Sequence, residues 1–180
     1  METYIAILRG INVGGHKAIK MELLRKLCEE LGFTKVKTYI QSGNIVFQAE
    51  NLVCKTLEEK IGSKIKETLS FEVPVLIKTK LELEQIIIQN QLLEGHDEAF
   101  LHVTFLAEIP TKANVDKIIG PFANDKYLIS ANAVYLYCPD SYSSSKLSNT
   151  FLEAKLKVTA TTRNWKTVKE LAKIALEVSQ

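Results

Sequence analysis

The stretch YIQSGNIVF at residues 39–47 decides how this chain folds. Its β-branched and aromatic residues flank a Ser-Gly-Asn turn, which is typical of two strands joined in a hairpin. A similar stretch, YLISANAVY, occupies residues 127–135, and Tyr, Ser, Asn and Val coincide in the two. Chance can produce such a match, because turns favour Ser and Asn and strands favour Val and aromatics. Both stretches fall at the same place in the same order of elements, so we favour an internal duplication.

Hydrophobic periodicity around each hairpin predicts a β-α-β-β-α-β-α order in both halves of the chain, which contains the β-α-β-β-α-β motif. In the first half we predict strands at 4–8, 36–40, 45–47 and 73–77, and helices at 21–31, 52–69 and 81–90. In the second half we predict strands at 101–106, 127–129, 134–137 and 158–161, and helices at 111–119, 146–156 and 165–178. The fold class is therefore expected to be α+β, with two tandem ferredoxin-like (βαββαβ) halves and antiparallel sheets. The halves are 1–92 and 98–180, with a linker at about 91–99.

Composition excludes several classes of protein. Among 180 residues, 23 basic and 21 acidic side chains leave a net charge of +2, so the whole chain is not a polybasic nucleic-acid binder. No apolar run approaches the roughly 18 residues that a membrane span needs, and Met1–Tyr4 enters a strand pattern without a signal peptide. Cys28, Cys54 and Cys138 are odd in number and widely spaced, which indicates a cytoplasmic protein. Three scattered histidines predict no metal, and we expect no cofactor.

The glycine-rich loop after the first strand is the best candidate site. It reads RGINVGG at residues 9–15, where Gly10, Gly14 and Gly15 allow close backbone approach. The loop leads from a strand toward a helix, so its amides are suited to an anion. Arg9 offers a guanidinium fork, and side chains of Asn12, His16 and Lys17 add donors. The alternative is a tight loop whose glycines only let the chain turn, with Arg9 pairing a local carboxylate.

Topology predicts a neighbour for this loop. In a β-α-β-β-α-β fold, the end of the first strand lies at the same sheet edge as the hairpin between the second and third strands. Ser42 and Asn44 bracket that hairpin turn and are therefore expected beside the loop. Taken alone, Ser42 and Asn44 are ordinary turn residues.

Two further motifs carry basic side chains. Lys146 ends a Ser-x-x-Lys pattern that begins at Ser143, but the partner motifs of penicillin-recognising enzymes are missing, so catalysis there is disfavoured. Arg163 and Asn164 lie where a strand ends and the last helix begins. They are interpreted either as helix-capping residues or, with the exposed helix N-terminus, as binders of an anion. Tyr135 and Tyr137 share one sheet face, and we favour core packing over base stacking for them.

Three stretches resemble a known family: LRGINVGG at 8–15, TYIQSGNIVF at 38–47 and TATTRNWKT at 159–167. They are similar to the bacterial family named domain of unknown function 1697. The resemblance implies a duplicated ferredoxin-like α+β fold and no established activity. The family tends to carry glycines where this chain has Asp140–Ser144, so this loop is expected to differ in stiffness or in binding.

Three functional hypotheses follow. The preferred one is a binding module at the loop for an anionic small molecule, phosphate- or nucleotide-like, or for a nucleic-acid backbone. The alternative is an enzyme that uses the same rim, which is the sheet edge formed by the glycine-rich loop and the hairpin turn. His16 is the only histidine available to such an enzyme as an acid or base. The third is a protein-interaction module without a small-molecule site. No membrane association is expected, and the chain is predicted to be a monomer or a weak homodimer.

Overall fold

The computed structural model describes all 180 residues and shows a mixed α+β fold with two four-stranded antiparallel sheets and six α-helices. The first seven elements are β1 (Glu2–Leu8), α1 (Met21–Glu30), β2 (Thr34–Tyr39), β3 (Asn44–Ala49), α2 (Cys54–Leu69), β4 (Val75–Thr79) and α3 (Lys80–Ile88). The next seven are β5 (Leu101–Leu106), α4 (Lys112–Val115), β6 (Lys126–Ser130), β7 (Ala133–Tyr137), α5 (Asn149–Leu156), β8 (Ala160–Asn164) and α6 (Trp165–Ser179). None of these helices has both the length and the apolar character that crossing a membrane requires.

Contacts divide the chain into two compact units. The first contains Met1–Glu84 and Glu170–Gln180, and the second contains Gln85–Lys169. α3 and α6 therefore each contribute residues to both units. Along the chain between α3 and β5, the stretch predicted as a linker forms two short 3-10 helices, Gln91–Leu93 and Glu98–Phe100.

The first sheet has the strand order β2-β3-β1-β4, and every neighbouring pair is antiparallel. Alternate residues of β1, namely Tyr4, Ala6 and Leu8, point into a core with α1 and α2. The ring of Phe47 stacks on that of Phe33 at 4.4 Å between centroids. Burying each such large apolar side chain contributes roughly 1.5–3 kcal/mol to the stability of the unit.

α1 shows how local sequence sets an element of this core. Leu24, Leu27 and Cys28 recur at helical spacing and are buried on one face. The helix ends where Gly32 adopts a φ of +84°, which side chains other than glycine rarely take. The amide of Gly32 donates to Glu29 O at 2.9 Å and the amide of Phe33 donates to Cys28 O at 3.3 Å. This pair of bonds is a Schellman motif, and it confirms the predicted glycine stop.

The second sheet repeats the arrangement of the first, with order β6-β7-β5-β8 and antiparallel pairs throughout. The core on the helix-covered face of this sheet is built from side chains of the strands, of α5 and of the segments that connect them. Its buried members are Leu106, Ile118, Val134, Leu136, Cys138, Leu147, Leu152, Leu156 and Ala160. Tyr135 lies on the other face of β7 and is fully buried, and its hydroxyl donates to Ile86 O at 2.8 Å. The core interpretation of Tyr135 is therefore confirmed.

Several predicted bounds are wrong. The predicted helix at 111–119 shortens to α4 (Lys112–Val115), because the backbone amides of Lys117 and Ile118 donate to carbonyls three residues earlier, which is a tighter turn than that of an α-helix. The strand predicted at 73–77 is displaced to β4, because Pro74 has no N–H to donate. The strand predicted at 158–161 lies at Ala160–Asn164, where it pairs with β5.

The helix predicted at 146–156 begins only at Asn149. The hydroxyl of Ser148 accepts from the amide of Phe151 at 3.3 Å and caps α5. Ser145 forms a separate turn, in which its hydroxyl accepts from the amide of Leu147 at 3.0 Å. Lys146 therefore precedes the helix instead of starting it.

The residue-level match between the two hairpins is also wrong as a structural equivalence. The end of β1 bonds to Gly43 O and the end of β5 bonds to Asn132 O, whereas the sequence match aligns Gly43 with the residue before Asn132. The hairpin loops differ in length, since Tyr39 pairs with Asn44 and Ser130 pairs with Ala133. A shift of one residue moves a side chain to the opposite face of a strand, so the coinciding valines lie on different faces.

Candidate functional site

Asn12 fixes the base of the glycine-rich loop. Its φ is +55°, a left-handed conformation that asparagine tolerates better than most residues. Its Oδ1 accepts from the amide of Ile19 at 2.8 Å, and its Nδ2 donates to Ile19 O at 3.0 Å and to Gln41 O at 2.8 Å. The backbone amide of Asn12 also donates to Lys17 O at 3.2 Å. The side chain of Asn12 is therefore a brace for the loop, and its polar atoms are occupied.

The tip of the loop is a tight turn from Val13 to His16. The amide of His16 donates to Val13 O at 3.1 Å, and the two residues form an isolated antiparallel bridge. Gly14 and Gly15 lie between them with φ of +59° and +76°, as in the turns that close two-residue hairpins. Both glycines are exposed, and their amides donate to no group of the chain. The tip thus presents two unoccupied backbone donors on a fixed base.

The loop lies beside the β2–β3 hairpin, as topology predicts. Besides the bond from Asn12 to Gln41, the amide of Leu8 donates to Gly43 O at 2.8 Å. A Cβ on Gly43 would lie 2.6 Å from Cδ1 of Ile11 and 2.9 Å from Cβ of Leu8, so only glycine fits this approach. The predicted convergence of the two polar segments is confirmed.

Ser42 and Asn44 serve the hairpin turn. Asn44 is fully buried, and its Nδ2 donates to Tyr39 O and to Ser42 Oγ, each at 3.0 Å. Ser42 is half-buried. These contacts are turn chemistry within the hairpin.

The charged residues of the loop differ in exposure. Arg9 is half-buried, and its backbone amide donates to Pro74 O at 3.1 Å. His16 and Lys17 are exposed, and Nζ of Lys17 donates to Glu72 O at 2.7 Å. The hydrogen bond from Lys66 and, less strongly, the charge of Lys17 hold the pKa of Glu72 below its usual value.

A second polar cluster lies in the second unit, around Tyr142. Its ring stacks on His102 at 4.8 Å with 22° between the planes. The Oγ1 atoms of Thr104 and Thr162 are 2.7 Å apart, and Thr162 Oγ1 also donates to Asn149 Oδ1 at 2.7 Å. Burial lowers the pKa of His102 and raises that of Tyr142. Sequence reasoning missed this cluster, because only the register of β5 and β8 brings residues so far apart together.

The remaining candidates are Lys146, Arg163 and Asn164, which also belong to the second unit. Lys146 is exposed, three residues before α5 begins. Arg163 is half-buried, its Nη1 donates to Thr162 O at 3.0 Å, and burial lowers its pKa to about 10. Asn164 caps α6, since its Oδ1 accepts from the amide of Thr167 at 2.8 Å. Trp165 is buried behind it.

The comparison with protein families agrees with the resemblance seen in the glycine-rich loop and in the adjoining hairpin. A family model described as protein of unknown function (DUF1697) matches residues 1–135. The chain belongs to the DUF1697 family. The matched part contains the glycine-rich loop and the adjoining hairpin and ends before Tyr142. No curated protein matches the sequence.

A solved structure has the same fold as this DUF1697 member. The conserved bacterial protein SP0830 from Streptococcus pneumoniae aligns with a TM-score of 0.74 and 23% sequence identity. The alignment covers 100% of this chain and 99% of that one. At this identity the likeness concerns the fold alone.

His16 is the histidine of the DUF1697 loop. The imidazole of His16 makes no hydrogen bond, so no carboxylate or nucleophile is oriented against it. No group of three His, Cys, Asp or Glu side chains is placed to hold a metal ion. The arrangement at the tip offers hydrogen-bond donors and positive charge, which suit binding.

Proposed function

We propose that this DUF1697 protein is a binding module for an anionic small molecule, phosphate- or nucleotide-like, at the tip Val13–His16. The observation that carries the proposal is the pair of unoccupied, exposed amides of Gly14 and Gly15 above a base fixed by Asn12. Successive backbone amides in a turn form concave anion sites in many proteins.

A fixed base strengthens such a site. Donors that already point to the ligand position lose little conformational entropy when the ligand binds. The bonds of Asn12 to Ile19 and Gln41 hold the loop at both ends, so the amides need no reorganisation.

Local charge favours the same ligand class. Residues 3–21 contain no Asp or Glu, whereas Arg9, His16, Lys17 and Lys20 lie among them. Lys17 and Lys20 are exposed. The segment that carries the tip is therefore positively charged, although Lys17 lies beside Glu72 and the whole chain has a net charge of only +2.

The architecture and setting form part of the proposal. The equal strand orders of the two sheets support a duplicated pair of ferredoxin-like halves, 1–92 and 98–180. The three cysteines are unpaired, which supports a cytoplasmic location.

The binding proposal is tested by thermal shift and isothermal titration with inorganic phosphate and pyrophosphate. At a ligand concentration of about 100 Kd, binding stabilises the folded state by about 2.7 kcal/mol. The double variant Lys17→Gln/Lys20→Gln is expected to weaken binding by roughly tenfold and to reduce its dependence on salt.

The matched control is Lys55→Gln/Lys60→Gln, which removes the same charge from the exposed face of α2. It should bind phosphate like the unchanged protein. Absence of stabilisation by either anion, or an equal loss in both double variants, contradicts the proposed site.

A further inference from the structure

Two aliphatic side chains are exposed on the rim that carries the amides. Val13 is 68% exposed and Ile40 is 46% exposed. The segments that carry them adjoin, because Asn12, which precedes Val13, donates to the carbonyl of Gln41, which follows Ile40, at 2.8 Å. The rim therefore has an apolar part beside its donors.

Ile40 occupies an unfavourable backbone conformation. Its φ is +49°, a region that β-branched residues avoid because the side chain crowds the backbone. Glycine or asparagine would relieve this strain in a turn. The side chain of Ile40 is largely exposed, so packing in the core does not account for an isoleucine at this position.

The size of the patch limits what it can bind. A stable protein interface buries about 800 Å² on each partner, far more than two aliphatic side chains provide. The exposed tip carries no Phe, Tyr or Trp, which single-stranded nucleic-acid binders use as stacking platforms. One small ring beside one anionic group fits the arrangement.

We infer that the ligand of this rim is a free nucleotide, with its phosphate on the amides of Gly14 and Gly15 and its base against Val13 and Ile40. This inference rests on the proposed function and names its ligand class. The apolar contact adds affinity through area removed from water, and contact with both exposed side chains is expected to contribute about tenfold.

The experiment compares titrations with adenosine monophosphate and with ribose 5-phosphate, which has the same charge and no base. Adenosine monophosphate should bind about tenfold tighter. Val13→Ser should lower that difference to about threefold, whereas the control Val53→Ser, at a side chain that is 72% exposed elsewhere in the same unit, should retain the full difference.

Ile40→Asn supplies a readout that a purely structural role would not give. It should raise the melting temperature by relieving the strained φ, yet lower the affinity for adenosine monophosphate. The control Ala131→Asn, at a φ of +48° in the β6–β7 turn, should leave nucleotide affinity unchanged.

The outcomes separate the two proposals. Equal affinity for the two ligands, or equal losses in Val13→Ser and Val53→Ser, overturns the inference while the anion site stands. Tight binding of an oligonucleotide without binding of the mononucleotide also overturns it. If neither phosphate compound nor inorganic phosphate binds, the proposed function itself fails.

Discussion

Replacing Gly43 by alanine is expected to destabilise the protein strongly, because this residue joins the hairpin to the glycine-rich loop. Its φ is +81°, and an added Cβ would lie 2.6 Å from Ile11 Cδ1 and 2.9 Å from Leu8 Cβ. Leu8 and Ile11 are 0% and 1% exposed, so neither side chain has free space to move into. Strain and overpacking therefore act together at one position.

The magnitude follows from the two contributions. A left-handed φ costs an alanine about 1 kcal/mol relative to glycine. Inserting a methyl group into a packed core costs about 1–3 kcal/mol. Gly43→Ala should thus lower the free energy of unfolding by roughly 2–4 kcal/mol, a large share of the 5–15 kcal/mol typical of folded proteins.

The assay is equilibrium urea unfolding followed by circular dichroism, with Gly32→Ala as the matched control. Gly32 has a φ of +84°, and a Cβ there would meet no atom within 4 Å. The control should therefore lose only the strain contribution, about 1 kcal/mol. If Gly43→Ala loses no more than Gly32→Ala, the close packing of the loop against the hairpin is refuted.

Two other perturbations test the fold away from the loop. Gly62 lies inside α2 without a positive φ, and its nearest atom to an added Cβ is Val73 O at 4.0 Å, so Gly62→Ala should stabilise the protein by about 0.5–1 kcal/mol in the same urea assay. Any destabilisation would contradict the open space at that site. Burial lowers the pKa of His102 in the folded protein below its value in the unfolded chain. As the pH drops through about 6.5, the unfolded chain binds a proton at this histidine more readily than the folded protein does, so the free energy of unfolding should fall. His102→Gln should flatten that part of the pH profile, and an unchanged slope measured by urea unfolding from pH 7.5 to 5.5 would show that His102 is not the cause.

The candidate site could be located from sequence because its determinants are local. The glycine spacing from Gly10 to Gly15 predicts a loop with positive φ, and the order of elements places that loop beside Gly43. The role of Asn12 could not be read in the same way. Whether an asparagine faces a ligand or braces its own loop depends on carbonyls as distant as that of Gln41.

The cluster around Tyr142 could not be located from the sequence, because its determinants are not local. No sequence motif marks Tyr142 or His102. They stack because strand pairing places β5 next to the segment that precedes α5. The start of α5 was also misplaced, since Ser145 and Ser148 are equally good caps by type. In the structure Leu147 is buried in the core before the helix begins, and Ser148 is the cap.

The sequence alone determined the α+β class, the family, the two sets of four strands and the loop at Gly10–Gly15, because periodicity and glycine chemistry act over a few residues. Tertiary structure alone decided which polar groups remain available. Asn12 and Asn44 are occupied by backbone partners, while the amides of Gly14 and Gly15 are left exposed. Hydrogen-bond partners are chosen by distances across the fold, and no pattern along the chain records those distances.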